Sequence, residues 1–384
     1  MSPAALFDQS QYQKGVKHLY ETGVKNVPPK YILPVSERPN VVVNGIKPTY
    51  AATTEANFKL PVIDFFQLLQ EDGSNRHQVL TSLAHACENY GFFQLVNHGI
   101  SEKIISNMMN ASKRFFELPY CEREKYMTAD MGAPVRYGTS FNQTKDGVFC
   151  WRDFLKLVCN PQPHHLPHQW PSSPVDFREM AVTYAKETKF IFQKLVDAIL
   201  ETLGLLQETN TTETKEEEDD DDDDDVGEAL KNGSQLMVVN CFPPCPEPDL
   251  TLGMPPHSDY GFLTLVLHDE VPGLQMQLHG KWVTIQPLPG SFVVNVGDHL
   301  EIFSNGKYKS VVHRVLVNST KSRISVASLH SLPFETIVRP SRKLINDKNP
   351  RRYKDTDFAT FLQYIQSCDS KEKNFLESRK LNQR

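Results

Sequence analysis

GLQMQLHGKWVTIQPLPGSFVVNVG, residues 273–297, reads as three strands in quick succession. Apolar side chains recur at alternate positions in LQMQL (274–278), KWVTIQ (281–286) and SFVVNVG (291–297), the period of a strand with one face on a core. Only His279 and Gly280 separate the first two, and Gly accepts positive φ without strain, so the spacing predicts a tight hairpin. The same period runs through QLMVVNCF (235–242), FLTLVLH (262–268), HLEIF (299–303), YKSVVHRVLVN (308–318) and RISVASLH (323–330). About eight short strands with close turns predict a double-sheet jelly roll, an arrangement that limits exposed sheet edges.

Upstream the period becomes helical. Residues 76–90 and 101–117 carry apolar positions at helical spacing, the second opening on Ser101 as an N-cap, with FFQLVN (92–97) between them as a short strand. Residues 175–206 form the longest helical pattern, ending near Gly204, and predict a scaffold helix against the sheet. Beyond Pro350, DTDFATFLQYIQSC (355–368) returns to helical spacing. The expected fold class is α+β: a double-stranded β-helix (jelly roll) core with flanking N-terminal helices and a C-terminal helix. The expected divisions are an N-terminal extension (1–58), a helix and strand region (59–175), the scaffold helix (176–212), an acidic disordered insertion (213–232), the jelly-roll core (233–335) and a C-terminal helical segment (336–384).

Bulk properties narrow the function classes. Among 384 residues, 39% hydrophobic and 10% aromatic, no run reaches the ~18 apolar residues of a membrane span. A globular protein without a membrane partner is expected, and the N-terminal stretch carries no export or organelle pattern, so cytoplasmic localisation is expected. The net charge of -6 hides an unbroken run of ten acidic residues, Glu216 to Asp225, without which the balance would be +4. Such a run repels itself and reads as a solvated insertion. Basic residues do not cluster with aromatics in a nucleic-acid pattern. Seven cysteines are odd in number and form no C-x-x-C pair, so reduced thiols are expected, Cys241 and Cys245 included. A monomer is expected.

The chemistry sits on the strands. In PPHSDYGFLTLVLHDE (255–270), His257 and Asp259 lie two apart at the mouth of an apolar strand, on one face, where they can meet one cation. His313 interrupts the apolar residues of a later strand and is the strongest candidate for a third ligand. Two imidazoles and one carboxylate leave coordination positions open, as suits Fe(II) that must bind a cosubstrate and O2; a closed zinc site would want four ligands, usually with cysteine. Ten residues on, Arg323 and Ser325 again share a face. A guanidinium inside a barrel needs an anion, and a small dicarboxylate would meet it through two charge-assisted bonds. Asn240 and Phe242 form another same-face pair; Asn240 could bond a bound acid or be satisfied by backbone, and both readings stay open. His164, His165 and His168 lie in a Pro-rich stretch without a carboxylate and read as surface loop, and His98 as a hydrogen-bonded turn residue.

With these residues in place the chain resembles the plant-type Fe(II)- and 2-oxoglutarate-dependent dioxygenases, the family of flavonoid, gibberellin and alkaloid oxidases. The likeness spans PVIDF (61–65), ACENYGFFQLVNHGI (86–100), FFELPYCEREKY (115–126), NCFPPCPEPDL (240–250), PPHSD (255–259), VVNVGDHLEIFSNGKYKSVVHRV (293–315) and RISVASL (323–329). It implies His257, Asp259 and His313 as iron ligands and catalytic centre, Arg323 and Ser325 on the distal carboxylate of 2-oxoglutarate, and Asn240 as the Asn of the family's Asn-x-Tyr motif. It also implies O2 as co-reactant and ascorbate as reductant. Phe242 stands where the family has Tyr, so one hydroxyl is missing from the cosubstrate pocket. The expected reaction is hydroxylation or desaturation of an apolar small-molecule plant metabolite or hormone precursor, with release of succinate and CO2. Two alternatives stand beside it: an ascorbate-dependent oxidase without 2-oxoglutarate, and a non-catalytic metal-binding jelly roll. Substrate selection is expected from the less regular segments around the barrel mouth, RYGTSFN (136–142), CWRDFLK (150–156) and the C-terminal helix near Phe358 and Leu362.

Overall fold

The computed structural model describes residues 14–39, 58–70, 73–141, 143, 146–161, 166–206, 226–367 and 375–381. The acidic run, His164 and His165 lie outside the described residues. In chain order the strands are β1 (Val62–Asp64), β2 (Phe92–Val96), β3 (Val135–Thr139), β4 (Asp153–Asn160), β5 (Ser234–Phe242) and β6 (Met254–His257), then β7 (Leu263–His268), β8 (Leu274–Leu278), β9 (Lys281–Thr284), β10 (Phe292–Val296), β11 (His313–Val315) and β12 (Arg323–Ser331). They form an eight-stranded sheet, β1-β2-β10-β7-β12-β5-β4-β3, and a four-stranded sheet, β6-β11-β8-β9. Pairing is antiparallel except between β1 and β2, an α+β arrangement consistent with the expected jelly roll. The hairpin at 278–281 has φ of 48° at His279 and 78° at Gly280, the left-handed pair that a two-residue turn of the favoured hand needs.

The helices form where the periodicity places them. Ser101 Oγ accepts from Ile104 N at 3.3 Å and caps Glu102–Glu117. The long helix Phe177–Thr202 lies on the large sheet, where Phe192 stacks on His330 of β12 at 4.5 Å and Gln235 of β5 donates to Thr188 Oγ1 and Ser328 Oγ. It stops where Gly204 turns left-handed at φ 74°.

Three expectations need correction. HLEIF is not a strand: Asp298–Phe303 is a helix, and all six of its residues are buried. With every face covered, alternation carried no information there. Its N-terminus is held by the loop after β6, Asp298 N donating to Asp259 O at 2.7 Å and His299 N to Tyr260 O at 3.1 Å. Residues 226–232, assigned to the acidic insertion, include the helix Val226–Lys231, which is anchored because Leu230 is in the core. CWRDFLK is less irregular than expected, since Asp153 to Lys156 belong to β4, paired with β5 on one side and β3 on the other.

Candidate active site

Antiparallel pairing of β6 with β11 sets His313 directly opposite His257. Their ring centroids are 4.2 Å apart, and Asp259 Oδ1 lies 3.8 Å from Nε2 of each. The potential donor atoms of the three side chains all fall within 4.8 Å of one another. Each imidazole has its other nitrogen engaged: His257 Nδ1 donates to Pro255 O at 2.8 Å and His313 Nδ1 to Val311 O at 3.1 Å. That fixes the tautomer and turns both Nε2 lone pairs toward the carboxylate. Asp259 is held in turn by Asn295 of β10, whose Nδ2 donates to Oδ2 at 2.8 Å.

The electrostatics suit a cation. Burial, helped by His313, pushes His257 down to about 3, so its imidazole is neutral. Burial raises the Asp259 carboxyl, but His313, His257 and Asn295 outweigh it and hold the group below the usual carboxylate value. A neutral imidazole and an ionised carboxylate are the states a divalent metal requires of such ligands. Phe141 and Phe92 wall the cluster, with ring centroids 5.7 Å from His257 and 5.5 Å from His313.

The second constellation also converges. In the β5–β12 register Arg323 faces Phe242 and Ser325 faces Asn240, so the two same-face pairs meet across one ladder. Arg323 is 4% exposed; its Nε donates to Val271 O at 3.2 Å, and its guanidinium lies 5.4 Å from the Phe242 ring centroid. Gly273 makes room for this arm, since a Cβ there would stand 3.3 Å from Arg323 Cδ. Burial lowers the guanidinium to about 10, with Asp269 partly opposing, and among the described residues no carboxylate is within ion-pair distance of it. Asp269 itself accepts from Ile324 N and Val271 N. Asn240 donates to Val238 O at 3.3 Å and Ser325 Oγ at 3.4 Å, and its Oδ1 accepts from Arg152 Nε at 2.7 Å.

Two residues near the cluster escaped the sequence reading. Asn295 is a polar residue inside the apolar strand FVVNV, the same signal that singled out Asn240. Arg152 was visible only as part of a segment. Elsewhere, His98 Nδ1 accepts from Ile100 N, a turn bond. Phe358 packs on Tyr260 and Phe334, with ring centroids 5.2 and 4.4 Å away. Burial drives the thiols of Cys241 and Cys245 up to about 12, so in the ligand-free protein they are protonated at neutral pH.

A face of two imidazoles and one carboxylate with open positions is the arrangement typical of non-haem iron oxygenases, and a buried arginine lies on the neighbouring ladder. Comparison with known proteins gives the family. The 2OG-Fe(II) oxygenase superfamily matches residues 233–331, and the N-terminal region described as non-haem dioxygenase in morphine synthesis matches residues 60–173. The chain is 37% identical over 342 residues to Protein DMR6-LIKE OXYGENASE 2 of Arabidopsis thaliana, covering 88% of this chain and 90% of that protein. It is 36% identical over 352 residues to Flavanone 3-dioxygenase 2 of Oryza sativa subsp. japonica, covering 91% and 93%. The crystal structure of JOX2 in complex with 2OG, Fe and JA superposes with a TM-score of 0.78 at 30% identity, covering 96% of this chain and 97% of that one. The chain belongs to the plant 2-oxoglutarate-dependent dioxygenases of the 2OG-Fe(II) oxygenase superfamily. It is an oxidoreductase of the kind that uses Fe(II), 2-oxoglutarate and O2, with ascorbate as the typical reductant. These findings favour 2-oxoglutarate-dependent oxidation over both alternatives. Among the described residues no helix is long and apolar enough to cross a membrane.

Proposed function

We propose that the enzyme hydroxylates or desaturates an apolar, ring-bearing small molecule, a plant metabolite or hormone precursor, and that residues 233–335 form the catalytic core. In this reading His257, Asp259 and His313 hold Fe(II), and Arg323, Ser325 and Asn240 receive the distal carboxylate of 2-oxoglutarate. The chemistry supplied by the iron when bound is O2 activation coupled to oxidative decarboxylation of the keto acid. The protein's residues bind, orient and exclude water. Pro255 O and Val311 O hold the imidazoles in register, and Asn295 holds the carboxylate. Phe242 covers one face of Arg323 and keeps water off the guanidinium, which strengthens its attraction for an acid. A ring-bearing substrate is supported by the aromatic side chains beside the cluster, and by a relative whose name specifies a flavanone.

The observation that carries the proposal is the convergence of the three donor side chains within 4.8 Å. Anaerobic addition of Fe(II) and then 2-oxoglutarate to the purified protein is expected to give a weak visible charge-transfer band, and admission of O2 with substrate to release succinate. His257→Ala or Asp259→Ala is expected to abolish both signals. A band of unchanged intensity in either variant would remove those residues from the metal centre.

A further inference from the structure

One buried cation near the cluster has no role in the reading above. Arg152 is 5% exposed and immediately precedes β4. Its Nε donates to Asn240 Oδ1 at 2.7 Å, but Nη1 and Nη2 form no hydrogen bond among the described residues. Its guanidinium lies over two aromatic rings, 4.6 Å from the Phe154 centroid and 5.3 Å from that of Phe141, the same Phe141 ring that abuts His257. Arg152 and the cluster lie near enough to feel each other's charge, Arg152 lowering His257 and Asp259 acting on Arg152.

The acids nearby are committed elsewhere. Asp153 accepts from Val16 N, Lys17 N and Tyr137 Oη; Asp146 accepts from Ser140 Oγ and Phe141 N; Asp259 faces the two histidines. Neither Nη nitrogen of Arg152 is fully enclosed, so both face open space, and a fork of N–H donors there suits a carboxylate. The dicarboxylate cosubstrate accounts for Arg323. It leaves Arg152, which reaches the site from the opposite neighbour of β5, without an anion.

We propose that Arg152 is the specificity-determining cation of the substrate pocket, and that the organic substrate, apolar over its unsaturated or aromatic frame beside Phe141 and Phe154, carries one carboxylate. The inference rests on the Fe(II) and 2-oxoglutarate assignment above. A neutral isostere of such a substrate leaves the two Nη groups unpaired and is rejected for that reason.

The test uses the full chain under anaerobic conditions with Fe(II) and saturating 2-oxoglutarate, so that Arg323 is occupied. Benzoate, cinnamate and 2-naphthoate are titrated by calorimetry, each beside its carboxamide. At least one acid is expected to bind ten-fold or more tightly than its amide. That preference should fall below two-fold in Arg152→Gln and be partly kept in Arg152→Lys, with the 2-oxoglutarate Kd within three-fold of wild type. The wild-type comparison does not depend on any variant folding: if no acid outbinds its amide, the proposal fails. It fails equally if the preference survives Arg152→Gln, or if 2-oxoglutarate affinity falls in parallel, which would make Arg152 a positioning residue for Asn240. Loss of 2-oxoglutarate binding in the wild type would sink the underlying assignment and this inference with it. Intact cosubstrate binding without acid preference sinks this inference alone.

Discussion

Replacing Arg323 by Met should separate cosubstrate binding from stability. The guanidinium is 4% exposed and pulled down to about 10 by burial, so it stays charged at neutral pH at a cost of about 3 kcal/mol to the folded state. A base whose folded pKa is depressed carries that cost at every pH below the depressed value, so removing the charge relieves it throughout the working range. Among the described residues the side chain gives back one protein hydrogen bond, to Val271 O, and its packing on Phe242, which Met largely keeps. The ligand-free variant should therefore melt at or slightly above the wild-type temperature. Cosubstrate binding should behave in the opposite way. Two charge-assisted bonds at the lower end of their range, about 1.5 kcal/mol each, amount to about 3 kcal/mol, or roughly a 150-fold rise in Kd. At a 2-oxoglutarate concentration of ~100 times the wild-type Kd, the ligand should stabilise wild type by about 2.7 kcal/mol and the variant by only about 0.3 kcal/mol. Anaerobic calorimetry and thermal melts with Fe(II), with and without 2-oxoglutarate, read both quantities. An affinity within three-fold of wild type would refute the acid-binding role. A ligand-free variant destabilised by several kcal/mol would refute the claim that this arginine is held at a cost until an anion arrives.

Three further outcomes are expected. Phe242→Tyr restores a hydroxyl beside Arg323 and should tighten 2-oxoglutarate by up to about 1.5 kcal/mol or leave it unchanged in the same calorimetry; marked weakening would show a pocket built around Phe, whose ring already sits where a Cβ at Gly253 would come within 2.6 Å. Asn295→Ala removes the amide that donates to Asp259 Oδ2 and should weaken Fe(II) binding ~10- to 100-fold, measured by metal competition, with little change in melting temperature. Lys156, whose Nζ donates to Met131 O, is pushed down to about 8 by burial and then by Arg136. A charged lysine there costs stability below pH 8, and the cost fades as pH rises toward the ordinary lysine value of ~10.4. Lys156→Met should accordingly raise the melting temperature at pH 7, with the gain shrinking by pH 10; a gain independent of pH would assign the effect to packing alone.

Much of the proposed site was legible in the chain because strand geometry is local. A period of two places His257 with Asp259, Arg323 with Ser325 and Asn240 with Phe242 on common faces whatever the rest of the fold does. The same logic failed at 298–303, where burial on all sides removed the contrast between faces that a period needs. It was silent at Arg152, which lies between Trp151 and Asp153 outside any regular alternation. Arg152 acquires its meaning through Asn240, 88 positions away, and through Phe141, neither of which its own neighbours in the chain specify.

By itself, then, the sequence determined the element types, the side-chain pairs that share a face and the chemical kind of the centre, since these depend on residues within a few positions of one another. Only the tertiary structure decided that His313 stands opposite His257, that Phe242 lies under Arg323, and that a second arginine enters beside the cluster. Those relations depend on which strands become neighbours and in what register, and that is settled by burial and hydrogen bonding summed over both sheets rather than by any single stretch of chain.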